Sequence, residues 1–192
     1  ACNTATVAGI EGYRTHFHTL PIIGVVPVVK TAVETKKTKK FLVLSTPYTA
    51  ASHYQKNLIQ TFASDCHVYN IGSSGLVELI EQGQVHGTTV GAELKKTIGP
   101  YVAKGIDVIA LGCTHYPFVR EAIRAIVGTH VQILDSGGAV ARQTQRVLSA
   151  NHALSTSCKP TYPFFTTGEV KKTQNIARLL LRRPVRVYHA AV

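Results

Sequence analysis

With 192 residues, the chain is long enough for one large domain or two small ones, and for a substantial buried core. A content of 45% apolar and 16% charged residues excludes disorder, and the longest apolar run, "LPIIGVVPVV" (20–29), is too short and proline-rich to span a membrane. The net charge of +11 favours anionic partners in general, while four cysteines without an apolar leader point to a reduced, cytoplasmic protein rather than a disulfide framework.

In chain order, "ACNTATVAG" opens without an initiating Met, and Cys2-Asn3-Thr4 leads into a helical run, "ATVAGIEGYRTHF" (5–17). "PIIGV" (21–25) reads as a first strand and "KFLVLS" (40–45) as a second, followed by amphipathic "TPYTAASHYQKNLIQTFA" (46–63). Strand "CHVYNI" (66–71) precedes "GSSGLVELIEQG" (72–83) and helical "TVGAELKKTIGPYVAKG" (89–105). Strand "IDVIAL" (106–111), helix "PFVREAIRAIVG" (117–128), strand "VQILD" (131–135) and helix "GAVARQTQRVLSA" (138–150) follow. A loop-like stretch, "ANHALSTSCKPT" (150–161), leads to a last strand, "YPFFTT" (162–167). Strands that are apolar throughout, alternating with helices, imply a parallel sheet covered on both faces. Pro47 and Pro117 suit first helical turns, Gly105 and Gly128 suit helix ends, and Ser136 suits an N-cap.

The basic residues cluster at "KKTKK" (36–40) and in the last 34 positions, where Lys159, Lys171, Lys172, Arg178, Arg182, Arg183 and Arg186 face one acid, Glu169. Both clusters read as solvated surface, because Lys and Arg are rarely buried.

Two cysteines share a local grammar. Ligands of open α/β sheets collect at strand carboxyl ends, where loops turn into helices. "GCTHYP" (112–117) follows a strand and opens a helix, and Cys2-Asn3-Thr4 likewise precedes one. At both places helix N-terminal amides favour thiolate over thiol. Cys66 in a strand and Cys158 in a loop lack such a context. The nine histidines, including His16 and His18, show no metal-ligand spacing, and "GSSG" (72–75) lacks the Lys-Ser/Thr ending of a phosphate loop.

"ACNTA" and "GCTHYP", with their cysteines 111 positions apart, resemble the two signature segments of the glutamate racemases, in the cofactor-independent aspartate/glutamate racemase superfamily. The resemblance continues through "PIIGVVP", "STPYTAASHY", "GSSGLVELIEQG", "DSGGAVARQ" and "FFTTGEV". It implies an α/β fold of two parallel-sheet domains. The second, 26–135, is complete; the first is discontinuous and truncated, represented by 1–25 and 136–192. Family members begin roughly seventy residues upstream, within domain-size norms, with an Asp-Ser-Gly-x-Gly-Gly motif that supplies an aspartate assisting the first cysteine.

The resemblance also implies roles, with no cofactor and no metal. Cys2 and Cys113 are the acid/base pair, His115 and Glu81 assist Cys113, and Asn3, Thr4, Thr114 and His115 bind substrate. Thr46 and Thr49 match further carboxylate-binding positions. Inverting an α-carbon needs one group to take the Cα proton and another to return one on the opposite face, which a thiolate and a thiol supply. Read as residues alone, Glu81 also fits a solvated helix, Thr46 a plain N-cap and His115 a structural histidine.

The implied reaction interconverts L- and D-glutamate, supplying D-glutamate for peptidoglycan. One alternative is racemisation of another small acid such as aspartate. Another is a non-catalytic protein acting on DNA gyrase or another anionic partner, although the charge has a bland surface reading and nucleic-acid or gyrase contact is not expected. No membrane partner is expected, and a homodimer is left open. The 192-residue chain by itself is expected not to racemise glutamate at a useful rate, because Cys2 lacks a preceding strand and chain termini fray.

Overall fold

Four short strands, β1 (Lys40–Ser45), β2 (His67–Gly72), β3 (Val108–Gly112) and β4 (Gln132–Leu134), form one parallel sheet in the order β2-β1-β3-β4. The computed structural model describes residues 2–35, 37–157, 159 and 161–191. Side chains alternate across the sheet with the period of two that a strand imposes. Leu42, Leu44, Ile109 and Leu111 pack on one face with residues of α5 (Gly75–Glu81), α6 (Thr88–Val102) and α7 (Arg120–Val127). Phe41, Val43, Val108 and Ala110 pack on the other with α2 (Val29–Thr35) and the end of α4 (His53–Ala63). Each fully buried large aliphatic side chain contributes roughly 1.5–3 kcal/mol, so the two faces hold the sheet between helical layers, as the apolar strands predict.

The other elements are α1 (Asn3–His16), α3 (Pro47–Ala51), a 3-10 turn at Tyr116–Val119, α8 (Gly137–Ala150), α9 (Val170–Leu181) and a parallel pair, β5 (Phe164–Thr166) with β6 (Val187–His189). No helix among the described residues is long and apolar enough to cross a membrane.

Several expectations change. Residues 21–25 are not a strand: Pro21 has no N–H to give, and the Val25 N–H goes to the Thr6 hydroxyl at 2.9 Å instead of a ladder. The stretch 46–63 is two helices, because Ser52 adopts an extended conformation and caps α4, accepting the Gln55 N–H at 3.1 Å. Ser136 stands at the start of α8 without a side-chain cap; the cap is one residue earlier, where Asp135 Oδ1 accepts the Gly137 N–H at 2.8 Å. Cys66 lies just ahead of β2 rather than within it, and Cys158 lies outside the described residues. The basic residues of the last 34 positions are exposed, as solvated surface requires, and two of them stack on rings: Arg183 over Tyr162 and Arg186 over Tyr188.

Gly72, the last residue of β2, shows how tightly the end of that strand is packed against the start of α3. A Cβ there would stand 2.5 Å from the Pro47 Cα, a backbone atom that opens α3. Gly72→Ala is therefore expected to destabilise the fold by about 1–3 kcal/mol, the usual cost of overpacking. Urea denaturation checks this, with wild-type stability as the contrary result.

Candidate active site at the carboxyl edge of the sheet

The parallel register pairs Ser45 of β1 with Gly112 of β3, so the next residues, Thr46 and Cys113, emerge together at the carboxyl edge. The chain passes from β1 to β2 on one side and returns to β3 on the other, which makes this edge the switch point where an open sheet leaves a crevice. Gly112 has no room for a side chain: a Cβ would approach Pro27 Cγ and Ser45 Cβ at 3.0 Å each.

Cys113 is 8% exposed. Its Sγ lies 3.8 Å from His115 Nδ1, and His115 Nε2 lies 2.5 Å from Glu81 Oε1 at the end of α5. The hydrogen bond with Cys113 is the largest influence on the imidazole; partial burial opposes it, and the bond to Glu81 adds to it. Together they raise the His115 pKa to about 9, so the ring is an imidazolium at neutral pH and donates from both nitrogens. The support of Cys113 thus comes from an imidazolium. The first helical structure after it is only the 3-10 turn, and α7 starts at Arg120.

Tyr116 holds this turn in place. It is fully buried, and its hydroxyl, which burial pushes well above its usual pKa, donates toward the Ser45 and Ser73 carbonyls at 3.0 Å each. One ring thereby ties the Cys113–His115 turn to the ends of β1 and β2.

Cys2 is the N-cap of α1, and its Sγ accepts the Ala5 N–H at 3.3 Å, as a cysteine before a helix N-terminus should. Its carbonyl accepts from Thr6 twice, from the backbone N–H at 3.0 Å and the hydroxyl at 2.9 Å. These bonds tie Cys2 to the first turn of α1. Two positions on, the Thr4 hydroxyl stands 3.0 Å from that of Thr46 and 3.2 Å from that of Thr49, and Thr46 and Thr49 are 3.0 Å apart. Thr46 also caps α3, so the plain N-cap reading and the clustered-hydroxyl reading both hold. Asn3 is 2% exposed, and its Nδ2 has no partner among the described residues. A buried amide donor left open is costly unless something fills it.

The expected residues therefore gather in two groups at one edge. Cys113, His115 and Glu81 form a chain from a buried thiol to an exposed carboxylate; Cys2, Asn3, Thr4, Thr46 and Thr49 form a cluster of donors at the start of α1. Thr46 and Cys113, neighbours in register, join them. Thr114 is exposed and lines clefts on both sides of its turn: one of about 270 Å³ with Cys113, and one of about 540 Å³ with His115, Glu81 and residues of α9. Sequence reasoning missed Tyr116 and Thr6, which touch the site only through backbone carbonyls. The 270 Å³ cleft is also lined by Val25 and by Asp135, whose carboxylate pairs with Arg120.

The Asp/Glu/Hydantoin racemase family model matches residues 1–144. The glutamate racemase of Ectopseudomonas mendocina is 36% identical over 188 residues, covering 98% of this chain and 72% of the relative. That of Pseudomonas aeruginosa is 35% identical over 184 residues, covering 96% of this chain and 69% of the relative. Among solved structures, the glutamate racemase isoform RacE1 of Bacillus anthracis superposes with a TM-score of 0.88 at 26% identity, covering 100% of this chain and 72% of that one. The Escherichia coli glutamate racemase, solved with L-glutamate and the activator UDP-MurNAc-ala, gives 0.82 at 27% identity, covering 98% and 71%. The chain belongs to the Asp/Glu/Hydantoin racemase family, and the relatives it matches there are glutamate racemases.

Proposed function

We propose that the protein interconverts L- and D-glutamate by proton transfer between Cys2 and Cys113. The observation that carries this reading is the placement of two cysteines, each within hydrogen-bond reach of a nitrogen donor, at one carboxyl edge lined by hydroxyls. Asn3 Nδ2 and the hydroxyls of Thr4, Thr46 and Thr49 are suited to donate to substrate carboxylates, with Thr114 adding a hydroxyl from the Cys113 side. One thiolate takes the Cα proton from one face. The opposite thiol gives its proton to the carbanion on the other, and the configuration inverts. Each turnover leaves the two thiols with exchanged protonation. The imidazolium of His115, between Cys113 and the exposed Glu81, offers the route by which Cys113 resets against solvent.

On this reading 26–135 forms one α/β domain and 1–25 with 136–192 belongs to a second. The protein works in the cytoplasm, and its D-glutamate feeds peptidoglycan. Incubation with either glutamate enantiomer in D₂O, followed by proton NMR at Cα and by circular dichroism, tests the proposal. Deuterium should enter at Cα, and Cys113→Ser should slow its entry by about a hundredfold or more, the range typical of a lost acid/base group. Unlabelled glutamate with the wild-type protein contradicts it and agrees instead with the expectation that the 192-residue chain by itself is inactive; labelling that survives Cys113→Ser contradicts it as well.

The His115 chain makes a pH prediction of its own. The folded pKa, about 9, lies above the ordinary 6.5, so the charge-dependent stabilisation is complete below about 6.5 and is lost as pH rises through about 9. Glu81→Gln removes one of the raising influences and should move the imidazole titration downward, seen by NMR of the ring protons. An unchanged titration would show that Glu81 does not act on the ring.

A further inference from the structure

We infer that Thr6, one turn into α1, is a positioning residue that sets where the Cys2 thiol stands relative to the Cys113 side of the site; this rests on the two-cysteine reading above. Thr6 is 2% exposed, and its hydroxyl has both of its hydrogen-bonding roles filled. It donates to the Cys2 carbonyl at 2.9 Å and accepts the Val25 N–H at 2.9 Å. A single oxygen therefore fixes the residue carrying one thiol against a residue whose side chain, 6% exposed, lines the cleft of the other. The chain comes close to make this contact: a Cβ at Gly24 would lie 3.0 Å from Thr6 Cγ2.

The same bond explains why residues 21–25 are not a strand here, since the Val25 amide is committed to α1. The second bond of that hydroxyl ties the Cys2 carbonyl to the first turn of α1. The hydroxyl bonds to backbone groups on either side, so Thr6 acts through Cys2 and Val25.

Displacing one of two thiols by about 1 Å is enough to cost on the order of a hundredfold in rate. The loss should fall on kcat, because Thr46 and Thr49 bind from a different element. Thr6→Val keeps shape and removes the hydroxyl; Thr6→Ser restores it without the methyl. The measurements are racemisation kinetics in both directions, thermal unfolding, and iodoacetamide alkylation of Cys2 and Cys113 resolved by peptide mass spectrometry.

With Thr6→Val, unfolding stays cooperative, kcat falls about tenfold to a hundredfold with KM within about threefold, and Cys2 alkylation changes while that of Cys113 does not. Thr6→Ser stays within about twofold of wild type on every count. Wild-type kcat and Cys2 alkylation in Thr6→Val would overturn the inference, as would a Thr6→Ser variant equally impaired. If Thr6→Val does not fold, Gly24→Ala, which pushes residue 25 away from an intact hydroxyl, takes its place. It should lower kcat by about threefold or more, and no change overturns the inference. Should the wild-type protein leave glutamate untouched, the proposed reaction falls, and the alkylation contrast alone decides whether Thr6 positions Cys2.

Discussion

The parallel pairing of β1 with β3 is the constraint from which the site is built. Its last pair, Ser45 with Gly112, delivers Thr46 and Cys113 side by side to the edge where the sheet changes direction. Everything else is attached to that pair. Tyr116 bonds back to Ser45 and Ser73, Thr4 reaches from α1 to Thr46, and Gly72 lets Pro47 close over the end of β2. Even the absence of a side chain at Gly112 belongs to it, because Pro27 and Ser45 leave no space there. Backbone register sets Thr46 beside Cys113, and side-chain bonds of Thr4, Thr6 and Tyr116 fasten the first cysteine's helix and the second cysteine's turn to that edge.

The two thiols are supported by different physics. Cys2 relies on the free amides of a helix terminus, a fixed dipole that does not titrate. Cys113 relies on an imidazolium whose charge depends on pH and on Glu81. In the proposed reaction the thiols exchange roles on every turnover, and His115 gives the Cys113 side a titrating partner for that exchange. Cys113 is connected through His115 to a carboxylate that is 58% exposed. Cys2 stands beside buried Asn3 and the hydroxyl cluster, where a substrate carboxylate would also sit.

The sheet was legible in the sequence because its strands are apolar on both faces; "KFLVLS" matches β1 residue for residue. What stayed hidden is short or committed elsewhere. α2 has seven residues and two β-branched valines, and β6 has three residues, too few for a period to show. α9 carries the basic residues that draw attention to charge rather than to its amphipathic spacing. "PIIGV" has a strand's composition but spends its Val25 amide on Thr6, a long-range bond that no local pattern encodes. The cysteines, His115 and the threonines were legible through motif and resemblance. Tyr116 bonds to a backbone carbonyl 71 positions away and Thr6 to the Cys2 carbonyl and the Val25 N–H, and nothing in residue type announces such contacts.

The central claim, that Cys2 and Cys113 face one carbon from opposite sides, is tested most directly by a crystal structure of the protein with bound glutamate. The account predicts the Cα between the two Sγ atoms, each within about 3–3.5 Å as a near-attack arrangement requires, with the carboxylates on Asn3, Thr4, Thr46, Thr49 and Thr114. Glutamate bound with both thiols on the same face of Cα, or bound away from the carboxyl edge of the sheet, would contradict it.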